Sequence, residues 1–104
     1  MVVVTALYPN EPGSSFDYDY YLNKHVPLVR ERWRPMGLEN QRQVRGMSTL
    51  DGSPAPYQVI AFLTFRSLED FQNAAQAHGQ EIVDDIAKFT SVQALVQISE
   101  EMTQ

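Results

Sequence analysis

Two stretches of this sequence are apolar at almost every position, and between them lie segments whose apolar residues recur with a helical period. Val2 to Tyr8 is β-branched and apolar and runs into Pro9, Asn10 and the turn-forming EPGSS, which predicts a first strand. Side chains alternate along a strand, so Val2, Val4, Ala6 and Tyr8 share one face and Val3, Thr5 and Leu7 the other. Both rows are apolar, and such a strand needs cover on both sides. Tyr57 to Phe65 (YQVIAFLTF) has the same character and predicts a third strand. Glu39 to Met47 alternates and reads as a more polar second strand, and Ser91 to Ser99 (SVQALVQIS) as a fourth.

The helical segments fall between these strands. Phe16 to Met36 carries Asp17 and Asp19 in its first turn and Gly37 just past its end, the usual marks of helix start and stop. At about 100° per residue, Tyr18, Leu22, Val29, Trp33 and Met36 form one stripe, opposite Asn23, Lys24, Arg30, Glu31 and Arg34. Pro27 interrupts the pattern but falls on the polar side, which predicts one kinked helix rather than two. Ser67 opens a second helix with Asp70 in the capping-box position. Gly79, directly after His78, reads as its stop, and a short helical piece with Ile82, Ile86 and Phe89 in phase follows.

The order is β-α-β-β-α-β, which predicts an α+β, ferredoxin-like domain with a four-stranded antiparallel sheet and both helices on one face. At 104 residues the chain holds one such domain, residues 1–104. The second apolar row of strands one and three then has nothing in the chain to cover it. A second copy of the same sheet is the economical cover, so a homodimer is expected.

Charge and composition narrow the function. The net charge of −5 and pI near 4.8 argue against nucleic acid as a partner. Lys24, Arg30, Arg32, Arg34, Arg42 and Arg45 nevertheless all fall between residues 24 and 45, either as a solvated helix face or as an anion-steering rim. Cysteine is absent, which removes disulfides, thiolate nucleophiles and thiolate metal sites, and two well-separated histidines do not suggest a metal centre. No stretch approaches the roughly 20 apolar residues of a membrane span, and MVVVTALY lacks a basic leader, so a cytoplasmic location is expected. Nucleotide, P-loop, serine-hydrolase and zinc-protease motifs are all missing. Aromatic residues at 11% fit a dimer interface or an aromatic-lined pocket.

The run Phe16-Asp17-Tyr18-Asp19-Tyr20-Tyr21-Leu22-Asn23-Lys24-His25-Val26-Pro27-Leu28-Val29 resembles the helix-one signature of EthD-like proteins, a tyrosine-rich stretch leading into His-x-Pro-Leu. Ser67-Leu68-Glu69-Asp70-Phe71 and Asp85-Ile86-Ala87-Lys88-Phe89-Thr90 resemble the second signature of that family. The resemblance implies a dimeric α/β barrel in which two sheets pack face to face. EthD takes its name from a gene cluster for ethyl tert-butyl ether degradation, where it is an accessory to an oxidising system. Related barrels include cofactor-free monooxygenases, isomerases, cyclases and haem-degrading enzymes, a breadth that does not select a chemistry.

His25 is the most informative position, since it lies in the apolar stripe of helix one and matches the histidine of the signature. Two readings stand: a core histidine satisfied by a buried carbonyl or hydroxyl, or a pocket-facing acid or base. Tyr21 precedes it by one turn, and Asp85 sits on the apolar face of the second helical region, where it can orient the imidazole; these three are the candidate catalytic residues. Tyr8, Trp33, Arg45, Tyr57 and Phe62 are the candidate ligand contacts, with Arg45 a candidate clamp for an oxyanion. The leading expectation is therefore an enzyme without a cofactor or metal, acting on a small apolar cyclic or aromatic metabolite by acid–base or oxidative chemistry. Its rivals are a non-catalytic accessory protein that binds such a molecule and a haem-handling protein with His25 or His78 as axial ligand.

Overall fold

A computed structural model describes residues 1–104. Strands β1 (Val2–Pro9), β2 (Leu38–Arg45), β3 (Tyr57–Phe65) and β4 (Leu95–Glu100) form one antiparallel sheet in the order β2-β3-β1-β4. The two strands with apolar residues on both faces, β1 and β3, are the central pair, as the pattern requires. Ala6 lies opposite Ala61 and Val4 opposite Leu63 in their register.

Helix α1, residues 18–36, is a single winding with four parts: an α-turn (Tyr18–Tyr20), a π-turn (Tyr21–His25), an α-helix (Val26–Trp33) and a final 3₁₀ turn (Arg34–Met36). Asp17 caps its start by accepting a hydrogen bond from the Tyr20 amide. The π-turn is the physical answer to Pro27. A regular α-turn would press the pyrrolidine ring against the Asn23 carbonyl, and one extra residue in the turn before it loosens that contact. The winding shifts the inward stripe to Tyr21, His25, Val29 and Trp33, and Leu22, expected inside, is 49% exposed. At the far end Gly37 takes φ +108°, with the Asp70 carboxylate packed where a Cβ would stand.

Helix α2 (Leu68–Ile86) is capped by Ser67, whose hydroxyl accepts from the Asp70 amide at 3.1 Å. It does not stop at Gly79. A lone glycine costs a helix about 1 kcal/mol, and the inward row continues in phase through Ile82, Asp85 and Ile86. His78 is therefore a mid-helix residue. Strand β4 begins later than its sequence suggests, at Leu95. Thr90 is bridged to Phe16 and donates its hydroxyl to the Ser15 carbonyl at 2.7 Å, so residues 90–92 tie down the start of α1 instead of extending the sheet.

Both helices pack on the face that carries Val4, Tyr8, Val59, Ala61, Leu63 and Phe65. They are joined by Trp33 Nε1 donating to the Ala74 carbonyl at 2.9 Å and by the Arg32–Glu81 ion pair at 2.9 Å. Since the π-turn already relieves Pro27, Pro27→Ala will fold and change stability by no more than about 1 kcal/mol in either direction. Chemical denaturation of the two proteins tests this, and a loss of folding would show that the proline is required to set the turn.

Candidate functional site

Small residues on facing walls open a space between sheet and helices. Ala6 and Ala61 are cross-strand neighbours on the sheet, and Ala75 and Gly79 lie one turn apart on α2. Between them is a cavity of about 230 Å³ lined by twenty residues, sixteen of them hydrophobic. An engineered cavity of about 150 Å³ holds benzene, so this one has room for more than a single ring. It draws its walls from two packed clusters, one around Trp33 and Phe65 and one around Tyr8, Tyr21 and Phe89. Val83 and Val96 line it and are 60% and 61% exposed, which places its mouth between α2 and the β4 edge.

His25 forms part of this wall and is only 4% exposed. Its Nδ1 lies 2.8 Å from Oδ2 of Asp85, itself 7% exposed. The other carboxylate oxygen accepts from the Tyr20 hydroxyl at 2.8 Å, and Lys88 Nζ stands 3.7 Å away. Burial works against ionising Asp85, but the hydrogen bonds from His25 and Tyr20 and the nearby positive charge outweigh it and hold the carboxyl below its ordinary range. Burial lowers the His25 pKa, and Asp85 only partly restores it. At neutral pH the pair is thus a carboxylate and a neutral imidazole, with the proton on Nδ1 facing Asp85 and the Nε2 lone pair free. Tyr21 stacks on the imidazole with ring centroids 5.7 Å apart. Its hydroxyl is pushed up to about 12 by burial, and that of Tyr8 is raised further by burial and by Tyr21. Both phenols remain protonated donors.

The structure thus brings His25, Tyr21, Asp85, Tyr8 and Trp33 to one cavity and its rim. Arg45, Tyr57 and Phe62 do not line it. Phe62 alternates with Ala61 and Leu63 and so points from the opposite face of the sheet, where Arg42 covers its ring at 4.9 Å. Arg45 is held over the Tyr18 ring at 4.0 Å, in a shallow groove outside the cavity. Tyr57 sits at the start of β3, beyond the cavity's end. None of the six clustered basic residues lines the cavity: Arg32 pairs with Glu81, Arg42 and Arg45 each lie on an aromatic ring, and Arg30 and Arg34 flank a separate groove. His78 is likewise absent from the cavity wall. Tyr20 is not legible in the sequence because it stands five positions before His25, a spacing that shares a face only across a π-turn, for which Pro27 is the available signal.

A model of the EthD domain matches residues 13–93. The chain belongs to the EthD family. A solved EthD-like protein from Ralstonia eutropha JMP134 is 31% identical with a TM-score of 0.87, over 95% of this chain and 89% of that one. An ethyl tert-butyl ether degradation (EthD) family protein from Bacillus halodurans C-125 is 23% identical with a TM-score of 0.71, over 98% and 99% of the two chains. An antibiotic biosynthesis monooxygenase, 12% identical with a TM-score of 0.53 over 99% and 100%, shares the fold alone. No functionally curated protein matches. The EthD fold is that of the dimeric α/β barrels, and no helix here is long and apolar enough to cross a membrane.

The lowered His25 pKa fixes the sign of a pH effect. As pH falls below about 6.5, the unfolded chain takes up the histidine proton before the folded one, so stability present above that value is lost as pH falls through the folded pKa. Asp85 acts in the same sense at lower pH. The melting temperature will therefore drop between pH 7 and pH 5, and His25→Gln will flatten that drop. Thermal denaturation of both proteins at the two pH values is the check, and an unchanged slope in the variant would contradict the assignment.

Proposed function

We propose that this EthD-family chain is an enzyme that moves a proton on a small, mostly apolar cyclic or aromatic molecule held between sheet and helices. The observation that carries the reading is His25: an oriented, neutral imidazole on the wall of an otherwise apolar cavity, its Nδ1 engaged by a buried carboxylate. Nε2 takes a proton from an acidic C–H or O–H of the substrate, and Asp85 balances the imidazolium that forms. Electron density left on the substrate oxygen is met by a phenol from Tyr21 or Tyr8. Return of the proton to a second carbon completes an isomerisation with atoms and electrons balanced. The step needs no group beyond these side chains.

The proposal extends to assembly. Val3, Leu7, Ile60, Phe62 and Leu95 lie on the sheet face that no helix covers, with Leu95 exposed. A second copy packed there completes the barrel and leaves the cavity, on the other face, intact. An interface above about 1,000 Å² is expected for a stable pair. Sedimentation velocity at micromolar concentration will give a dimer, and a monomer would remove this part of the reading.

Proton exchange on a probe ketone tests the chemistry. In deuterium oxide the protein will accelerate exchange of the C1 protons of 2-tetralone, followed by NMR. His25→Ala will lower that rate by about 10²–10⁴-fold while unfolding within about 1–2 kcal/mol of wild type, because a cavity wall loses less packing than a core site. Binding of 2-tetralone without accelerated exchange would favour the rival reading, a non-catalytic carrier.

A further inference from the structure

The cavity contains two polar atoms that the proton-transfer reading does not use. Gln41 and Gln43 project from β2 onto the helix-covered face, opposite Leu63 and Ala61, and both line the cavity. Their amide oxygens are buried and have no hydrogen-bond partner, the only such side-chain atoms in the chain. For Gln41 the amide orientation is fixed: its Nε2 donates to the Val26 carbonyl at 3.0 Å, so the bare atom is the oxygen, an acceptor. This acceptor and the imidazole line the same cavity. Acceptors removed from water are nearly always paired in folded proteins, and an exception calls for a reason. A hydrophobic residue at either position would close the wall at no such cost.

We infer that the Gln41 oxygen, seconded by Gln43, is the recognition point for a ligand hydroxyl, and that the substrate is a hydroxylated bicyclic aromatic of phenolic or enolic type. The inference rests on the cavity being the ligand site. It adds that the ligand must donate a hydrogen bond there. The Gln41 carboxamide is held by its own bond to the backbone, so it accepts without reorganising. The rest of the wall is apolar, so the ring system takes up the remainder of the cavity.

The probes are 2-naphthol, 2-methoxynaphthalene and naphthalene, with binding read from the fluorescence of Trp33, the chain's single tryptophan and a cavity-wall residue. Wild type will bind 2-naphthol about tenfold or more tighter than 2-methoxynaphthalene, whose oxygen cannot donate. A wholly apolar cavity would reverse that order, because the hydroxyl would be dehydrated without a partner. Gln41→Met, close in length and without the oxygen, will abolish the preference while keeping naphthalene affinity. His25→Ala will retain the preference, which separates the glutamine from the imidazole as the acceptor without relying on the folding of Gln41→Met. Equal affinity for naphthol and its methyl ether, or a preference lost in His25→Ala and kept in Gln41→Met, would overturn the inference and leave the cavity reading standing. Failure of all three probes to bind would overturn the cavity reading and this inference with it.

Discussion

A buried imidazole has to find a partner, and the one His25 finds organises the helical layer. The helices run antiparallel, so the start of α1 meets the end of α2, where Nδ1 and the Asp85 carboxylate lie 2.8 Å apart. Farther along, Arg32 reaches Glu81 and Trp33 reaches the Ala74 carbonyl. These three ties differ in kind. The arginine pair is half in solvent and contributes little to stability. The tryptophan bond satisfies a single donor in a packed core. Only the histidine pair places a titratable group at the boundary between packed protein and open cavity; removing Asp85 leaves the imidazole buried without its partner, whereas removing His25 leaves the carboxylate its bond from Tyr20.

The cavity beside that pair is built by omission. Ala6, Ala61, Ala75 and Gly79 are small where a core would hold leucine or valine, and they face one another across the gap. Empty apolar volume is destabilising in proportion to its size, and a domain of this length has little stability to spare. Filling the space would be simple: a Cβ added to Gly79 would meet only the Ala75 Cβ, at an ordinary 3.7 Å. That an accessible remedy is not taken argues that the volume is used.

What could be read from the sequence follows what alternation and helical period encode. The two faces of β1 and β3 and the inward positions of His25 and Asp85 on their helices rest on a residue's position relative to its near neighbours, and such relations survive folding; the approach of Asp85 to His25 follows once both helices share one face of the sheet. Gly79 misled because composition marks a stop, whereas the inward row of Ile82, Asp85 and Ile86 keeps the helix in phase past it. Phe62 and Arg45 differ: residue type alone makes an aromatic or a guanidinium a candidate ligand contact, whereas strand parity puts Phe62 on the far face and Arg45 packs on Tyr18. Tyr20 depends on a π-turn, a local departure from the period on which the reading was built. Gln41 and Gln43 look like ordinary polar residues of an edge strand. Only the packing of α1 over that edge turns them into buried groups.

The two pKa shifts bear on the role proposed for His25. Asp85 is held ionised by the bonds it accepts, so the proton between the pair stays on the imidazole and the carboxylate remains a fixed negative charge. That charge favours the imidazolium once Nε2 has captured a proton. Burial opposes it and prevails, so the protonated ring is disfavoured relative to a histidine in water. A base of this sort suits neither permanent deprotonation nor storage of charge. In the proposed reaction it would accept a proton from a group acidified by its own conjugation and return it. Such reciprocity fits an enolisable or phenolic substrate, whose anion survives long enough for the proton to come back at a different atom.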